Sequence, residues 1–124
     1  MERDWSSAED FINAICLIVN KPSDYVLSSG KLTSVRSLLI ESATHIGFKP
    51  KFKGSGLNEV CYDETTGKEL VNISEKYYRK IDTPGMFGDS KKLRNDTGWK
   101  KTKDINQVIC QMVEKDINRL KNKK

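Results

Sequence analysis

The sequence predicts an α/β fold with an incomplete sheet, because helical and strand-like segments alternate along the chain. Three segments, near residues 8–19, 33–46 and 104–120, repeat apolar residues at the spacing of an amphipathic helix. Short runs of strand-forming residues lie between them and are bounded by glycine or proline. The predicted strands are too few to close a sheet of their own.

The N-terminal part is predicted to form one helix and one strand. Ser6 or Ser7 is a suitable N-cap, and an acidic residue three positions later can complete a capping box. The helix is expected to end before Pro22, because proline has no amide hydrogen to donate within a helix. Residues 25–30 then favour a short strand that ends at a glycine turn.

The central part is predicted to form a second helix followed by three short strands. Thr33 or Ser34 caps the helix, and Gly47 suits the left-handed position just after its end. Residues 65–68 form the turn of a predicted hairpin. The strands are predicted at residues 51–53, 59–62 and 69–73.

The C-terminal part is predicted to contain two helices after a loop punctuated by proline and glycine. Ser90 or Asp89 caps the shorter helix, and the longer helix begins at Asp104. The chain of 124 residues allows one domain or part of one. We therefore divide it into a segment at residues 1–120 and a basic tail at 121–124.

The net charge of +5 raises the question of nucleic-acid binding, but the distribution of the charge argues against it. Lys49, Lys51 and Lys53 alternate along one predicted strand, which is typical of a solvent-exposed strand face. No zinc-finger spacing, aromatic RNA-binding signature or helix-turn-helix pattern accompanies them. A small basic nucleic-acid-associated protein is the weakest of the alternatives.

The cysteines and the hydropathy pattern predict a cytoplasmic protein. Cys16, Cys61 and Cys110 are odd in number and widely spaced, as in proteins from reducing compartments. Cys16 and Cys110 lie on apolar helical stripes, so we expect both to be buried. The sequence has no run of about eighteen apolar residues, which predicts no membrane span. It also has no secretion signal, which argues against export.

Arg3 and Arg79 are the candidate ligand-binding cations. The planar guanidinium of Arg79 can bind phosphate oxygens through two parallel hydrogen bonds. Asp82, three residues later, is placed to fix that guanidinium or to accept from a ribose or a base. A surface ion pair is the simpler interpretation of Arg79 and Asp82. An unstructured terminus is the corresponding alternative for Arg3.

The other noticeable side chains are predicted to have structural roles. Tyr77 and Tyr78 are expected to pack beneath the loop and orient Arg79, and Trp5 is expected in the core. His45 is the single histidine, and with the cysteines dispersed the sequence predicts no metal site.

Four short motifs occur in the order and at the spacing of one enzyme family. They are Arg3-Asp4-Trp5, Ser34-Val35-Arg36, Tyr77-Tyr78-Arg79 and Gly98-Trp99-Lys100. With them the chain resembles the C-terminal part of GDP-mannose 4,6-dehydratase, an extended short-chain dehydrogenase/reductase that acts on nucleotide sugars. The resemblance implies the C-terminal substrate-binding portion of that fold, with residues 25–29 at the edge of an incomplete Rossmann sheet.

The resemblance also implies a ligand and an activity. In similar enzymes the arginine matching Arg79 touches the diphosphate, and the acid matching Asp82 lies at the nucleoside. The arginine matching Arg3 approaches the diphosphate from the other side. The full enzyme removes water from GDP-mannose with tightly held NADP, which yields a 4-keto-6-deoxy sugar on the route to GDP-fucose. GDP-mannose or a related nucleotide sugar is therefore the expected ligand, and a separate N-terminal half or a homo-oligomer is the expected partner.

The residues that perform this chemistry in short-chain dehydrogenases are not found in the sequence. Four positions after Tyr77 stands Ile81, and four after Tyr78 stands Asp82, so neither begins a Tyr-x-x-x-Lys pair. The segment from Gly54 lacks the third glycine of a dinucleotide-binding loop. We therefore expect no catalytic residues, no NADP binding and no activity from this chain alone. A non-catalytic relic or binding module of the same lobe is the leading alternative.

Overall fold

The computed structural model describes residues 1–81 and 83–123 and has the predicted α/β architecture. Within these ranges, two small antiparallel sheets lie beside four α-helices. The helices are α1 Ala8–Ile18, α2 Val35–His45, α3 Lys91–Thr97 and α4 Ile105–Asn122. The strands are β1 Glu2–Asp4, β2 Leu32–Ser34, β3 Pro50–Lys53, β4 Val60–Asp63 and β5 Glu69–Asn72. No helix of the described part is long and apolar enough to span a bilayer.

The first sheet joins the N-terminus to the segment in front of α2. β1 pairs antiparallel with β2, so that Arg3 lies opposite Thr33. The amide of Val35 donates to the carbonyl of Met1 at 3.2 Å, which extends the contact beyond the strands. Sequence patterns do not predict this sheet, because each strand has only three residues. The pairing overturns the alternative of an unstructured terminus at Arg3.

The second sheet is a three-stranded meander in the order β3–β4–β5, and it contains the three strands predicted for the central part of the chain. The turn between β4 and β5 contains Gly67 at a φ of +70°, a conformation that favours glycine. Asp63 fixes this turn by accepting from the amide of Thr66 at 3.0 Å and from its hydroxyl at 2.7 Å. The amide of Lys49 donates to the same carboxylate at 2.8 Å. The predicted hairpin is therefore confirmed.

Capping side chains define α2 and α4 at the predicted positions. The hydroxyl of Ser34 accepts from the amide of Ser37 at 3.0 Å, and Gly47 follows the end of α2 with a φ of +94°. At α4, Asp104 accepts from the amide of Gln107 at 3.0 Å. The Gln107 side chain accepts in return from the amide of Asp104, also at 3.0 Å. This reciprocal pair is a capping box.

α2 and α4 pack against each other and carry an interaction between their polar side chains. His45 Nε2 lies 3.1 Å from Glu114 Oε1, so the single histidine joins the two helices. α4 continues through Asn122, past the boundary that the sequence suggests at residue 121.

The main core lies between α1, α3 and the segment that follows α3. The indole Nε1 of Trp99 donates to the carbonyl of Asp10 at 2.9 Å. The buried Asp10 carboxylate accepts from the hydroxyl of Thr102 at 2.7 Å and from its amide at 3.0 Å. These bonds attach the chain after α3 to the first turn of α1. The apolar residues of this core are Ala14, Leu93 and Trp99, with Ile18, Tyr25 and Leu27 packed against them.

The prediction of a strand at residues 25–30 is wrong. This segment belongs to neither sheet. The amides of residues 25–28 donate no hydrogen bond to any other described residue. Ser28 and Ser29 are instead held through side-chain contacts, with the Ser28 hydroxyl donating to the carbonyl of Gly88 at 2.7 Å. The segment lacks a ladder because no neighbouring strand of the described part reaches it.

One apolar face of α1 is uncovered, contrary to the predicted burial. We call Ile12, Ile15, Cys16 and Val19 the α1 stripe, since they share one side of the helix. The exposed fraction is 58% for Ile12, 47% for Ile15 and 71% for Val19. Cys16 is also exposed, so the burial predicted for this cysteine is wrong. Cys110 on α4 is partly buried. The rest of α1 contacts the core through Ala14 and Ile18.

Acid is expected to destabilise the fold partly through Asp63. Hydrogen bonds from Thr66 and from the Lys49 amide lower the pKa of Asp63. Its stabilisation should be complete above the unfolded pKa of about 3.9 and should be lost as the pH falls through the lower folded value. The difference in thermal midpoint between wild type and Asp63→Asn should therefore shrink between about pH 6 and about pH 2. A difference that does not change with pH would contradict this account.

Candidate functional site

The loop after Arg79 runs back along β1 as a strap, by which we mean residues 83–88. Near its start, Nη2 of Arg3 donates to Oγ1 of Thr83 at 3.1 Å. At its end, the amide of Gly88 donates to Oδ2 of Asp4 at 3.3 Å. Two neighbouring residues of β1 thus attach to opposite ends of the strap.

Two glycines let the strap approach the N-terminal segments closely. A β-carbon at Gly88 would lie 2.6 Å from the β-carbon of Ser28, a separation that real structures do not tolerate. A β-carbon at Gly85 would lie 3.0 Å from Cδ1 of Leu32. Glycine is therefore required at position 88 for packing, since even the methyl group of alanine has no space there.

The carboxylate of Asp4 is the polar centre of this arrangement. Oδ1 accepts from the amide of Ser29 at 2.9 Å and from its hydroxyl at 2.5 Å. Oδ2 accepts from the amides of Gly30 at 3.0 Å and Gly88 at 3.3 Å. Partial burial raises the pKa of Asp4, but these bonds outweigh that effect and hold the pKa below its usual value. Asp4 is therefore ionised at neutral pH.

Arg79 lies at the surface, at the other end of the same loop. Because four residues span at most about 14 Å, the α-carbon of Arg79 lies within that distance of Thr83, the residue that Arg3 contacts. Among the described residues, no hydrogen bond or ion pair to the Arg79 guanidinium is found. The loop therefore connects the two predicted arginines. Asp82, the third predicted residue, lies outside the described residues.

Arg79 also stands at the rim of a hollow of about 670 Å³. This volume is within the range of about 300–1,000 Å³ that is usual for small-molecule sites. Tyr77 and Tyr78 line the hollow beside the arginine. Its remaining walls come mainly from α2 and the second sheet, and Met1 and Ser34 also line it. The apolar residues of these walls are Met1, Val35, Leu39, Phe52, Cys61, Val71 and Ile73.

Arg36 lines the same hollow but is already engaged by neighbouring side chains. Its guanidinium carbon lies 4.6 Å from the centre of the Phe52 ring, and its Nη2 forms an ion pair with Glu59. These contacts fix Arg36 in the wall. A ligand in the hollow would meet its charge only in competition with Glu59.

Two predictions about aromatic residues are wrong. Tyr77 does not pack beneath the loop, because 75% of it is exposed, and Tyr78 is 45% exposed. Trp5 is not in the core either, since it is 37% exposed and its Nε1 donates to the carbonyl of Thr33 at 3.2 Å. Tyr77 and Tyr78 are thus available to a ligand, and Trp5 supports the first sheet from outside.

The residues present do not fit a dinucleotide cofactor. The segment that starts at Gly54 leads through a short 3₁₀ turn, Gly56–Asn58, into β4 and opens no α-helix. A β-carbon at Gly54 would lie 2.2 Å from the carbonyl oxygen of Asn58, so this glycine is required by a tight turn. A dinucleotide site needs a glycine-rich loop that runs into a helix, whose N-terminus binds the pyrophosphate. We therefore derive no chemical step through NADP for this chain.

Comparison with known proteins identifies the family. A sequence model described as GDP-mannose 4,6 dehydratase matches residues 1–112. The GDP-mannose 4,6 dehydratase of Dictyostelium discoideum is 34% identical over 123 residues, and that of Homo sapiens is 32% identical over 118 residues. These matches cover 98% and 94% of the chain. The chain belongs to the GDP-mannose 4,6-dehydratase family.

The chain corresponds to only a part of these relatives. It spans 35% of the Dictyostelium protein, 32% of the human protein and 35% of the Sinorhizobium fredii protein. The last is 30% identical over 122 residues. The activity of the whole relatives therefore does not transfer directly to this chain.

Sequence reasoning missed Asp4 and Gly88 as residues that shape the site. Asp4 stands inside the recognised Arg3-Asp4-Trp5 motif, so its position offered a signal. Nothing in the local sequence indicates that Gly88 meets Asp4, because the two residues are 84 positions apart.

Proposed function

We propose that this chain is the C-terminal, substrate-binding segment of a GDP-mannose 4,6-dehydratase. In this role Arg79 binds the diphosphate of the nucleotide sugar, Asp82 accepts from the nucleoside, and Arg3 approaches the diphosphate from β1. The observation that carries the proposal is the loop itself. Arg79 opens it at the rim of the hollow, and Arg3 contacts it at Thr83.

The chemistry of the site agrees with this ligand class. A diphosphate needs cations, and guanidinium groups bind phosphate oxygens in pairs. An apolar hollow next to the cation, with exposed tyrosines, suits the flat base or the sugar face of a nucleotide sugar. The relatives are named for GDP-mannose, which supports this member of the class.

The catalytic steps belong to the part of the relatives that this chain does not match. The described residues include no Tyr-x-x-x-Lys pair, and the Gly54 turn does not fit NADP. The chain alone is therefore inactive, and it contributes binding and orientation of the substrate. NADP would supply the hydride chemistry from the unmatched part.

Two surfaces of the chain fit attachment to that unmatched part. Residues 25–28 leave their amides without partners in the described structure, as an edge strand does before it pairs. The neighbouring α1 carries its uncovered stripe of Ile12, Ile15, Cys16 and Val19. α1 contacts the segment at residues 25–28 through its core-facing side, and its α1 stripe is left exposed. A strand from the unmatched part that paired with residues 25–28 would lie next to α1 and could cover the α1 stripe.

The proposal is tested by reconstitution with the part of the Dictyostelium relative that the chain does not match. GDP-mannose and NADP are supplied, and formation of the 4-keto product is measured. We expect turnover from the mixture and none above buffer from either part alone. Turnover by the chain alone would contradict the assignment of catalysis to the other part. GDP binding without turnover in the mixture would favour the non-catalytic binding module.

A further inference from the structure

The contacts of Asp4 suggest a role beyond holding β1 in place. Its two carboxylate oxygens accept four hydrogen bonds, which come from three residues in two separate segments. Ser29 and Gly30 belong to the turn before β2, whereas Gly88 ends the strap. The carboxylate therefore joins two parts of the chain that are about sixty positions apart in sequence.

The strap meets β1 at three points. Arg3 contacts Thr83 at one end, and Asp4 contacts Gly88 at the other. Between them, Gly85 lies close enough to β1 that an added β-carbon would be 3.4 Å from Cβ of Glu2. Three consecutive residues of β1 thus meet the strap at three points, with Arg3 at Thr83, Glu2 at Gly85 and Asp4 at Gly88. These points set the path of the strap, because Gly85 and Gly88 let its backbone approach the N-terminal segments closely.

We propose that Asp4 is a positioning residue: by anchoring Gly88 it holds the strap along β1 and so fixes the separation between the guanidinium of Arg3 and the loop that carries Arg79. Asp4 does not touch the ligand in this scheme. It acts through the strap, whose start lies four residues after Arg79. This inference rests on the proposed function, because it assumes that Arg3 and Arg79 bind one diphosphate.

The sharpest change is Asp4→Asn, which keeps the size of the side chain. Asparagine retains one acceptor oxygen but presents an NH₂ group at the second position, where amides of Gly30 and Gly88 already donate. Two donors then face each other, and the anchor at Gly88 is lost. Gly88→Ala attacks the same contact from the other side, since its β-carbon would collide with Ser28.

Asp63→Asn provides the matched control. Asp63 is also a carboxylate that accepts from backbone amides and one hydroxyl, but it fixes the β4–β5 turn and has no contact with the strap. The control therefore removes an equivalent set of hydrogen bonds and leaves the arginine loop alone. A general loss of stability should appear in both variants, whereas a positioning effect should appear only at Asp4.

Two measurements decide the matter. Amide hydrogen exchange on the full chain should become faster in residues 83–88 for Asp4→Asn and for Gly88→Ala, but not for Asp63→Asn. GDP binding is then titrated in the reconstituted mixture, at a temperature where every variant is folded. We expect Asp4→Asn and Gly88→Ala to weaken GDP roughly five- to tenfold, and Asp63→Asn to stay within about twofold of wild type.

The outcomes separate the two proposals. If wild type binds GDP and Asp4→Asn binds it equally well, the positioning role is overturned. An equal loss of affinity in Asp63→Asn would likewise overturn it, because the effect would then be general destabilisation. If wild type shows no GDP binding at all, the proposed function fails. Amide hydrogen exchange in the strap still tests the contact between Asp4 and Gly88 in that case. Unchanged exchange in Asp4→Asn would show that Asp4 does not hold the strap.

Discussion

Arg79→Ala is expected to weaken binding of GDP or GDP-mannose at least about tenfold in the reconstituted mixture. Arg79 lies at the surface beside the hollow and offers a charged, forked donor to phosphate oxygens. Loss of one charge-assisted hydrogen bond costs about 1.5–3 kcal/mol, which is on the order of tenfold or more in affinity. The measurement is a binding titration at fixed salt. Asp82→Ala should have the second largest effect, followed by Arg3→Ala.

Lys53→Ala is the matched control for charge. Lys53 is exposed on β3 and lies over the ring of Tyr62, 5.3 Å from its centre, outside the walls of the hollow. Its loss changes the net charge by the same amount as the loss of Arg79. We expect it to alter the salt dependence of binding and little else. Equal losses from the two substitutions would mean diffuse electrostatic attraction, and the specific site at Arg79 would have to be abandoned.

Ile15→Asp is expected to prevent assembly with the unmatched part of the relative. Ile15 is 47% exposed in the chain alone, so aspartate is tolerated there before assembly. If the α1 stripe becomes buried in the complex, the new carboxylate is left unpaired in an apolar contact. Burying an uncompensated charge costs about 3–5 kcal/mol, which is on the order of a hundredfold or more in affinity.

Cys16 reports this assembly directly, because it lies in the α1 stripe and is exposed in the chain alone. Alkylation of Cys16 should slow strongly when the unmatched part is added to wild type, and should not slow for Ile15→Asp. Cys61, which is buried, and Cys110, which is partly buried, serve as internal references. Met112→Asp is the control on α4, since Met112 is 57% exposed on a different helix. Unchanged labelling of Cys16 in the wild-type mixture would rule out this surface as the contact.

Local patterns predicted the parts of the fold that depend on neighbouring residues. Ser34 and Asp104 cap their helices as expected, and Gly67 closes the predicted hairpin. In each case the hydrogen-bond partners lie within a few positions, so spacing along the chain is enough to predict them. The motifs around Arg3 and Arg79 likewise identified the family, which the comparison confirmed.

The same patterns failed where the outcome depends on what lies beside a segment. Residues 25–30 have strand-forming composition, but a strand exists only with a partner, and none of the described strands pairs with them. Cys16 sits on a helical apolar stripe, yet a stripe is buried only if another element covers it. Both errors fall on the surface that the proposed function assigns to the rest of the enzyme.

The sequence by itself determined the helices, the caps of α2 and α4, the hairpin of β4 and β5, and the two arginines that the family resemblance marks. Only the tertiary structure decided that β1 pairs with β2, that Asp4 meets Gly88 and that Arg3 reaches the loop of Arg79. Those contacts join residues from about 30 to more than 80 positions apart. Sequence spacing carries no information about them, because they depend on how the chain returns upon itself and on which glycines let two backbones approach.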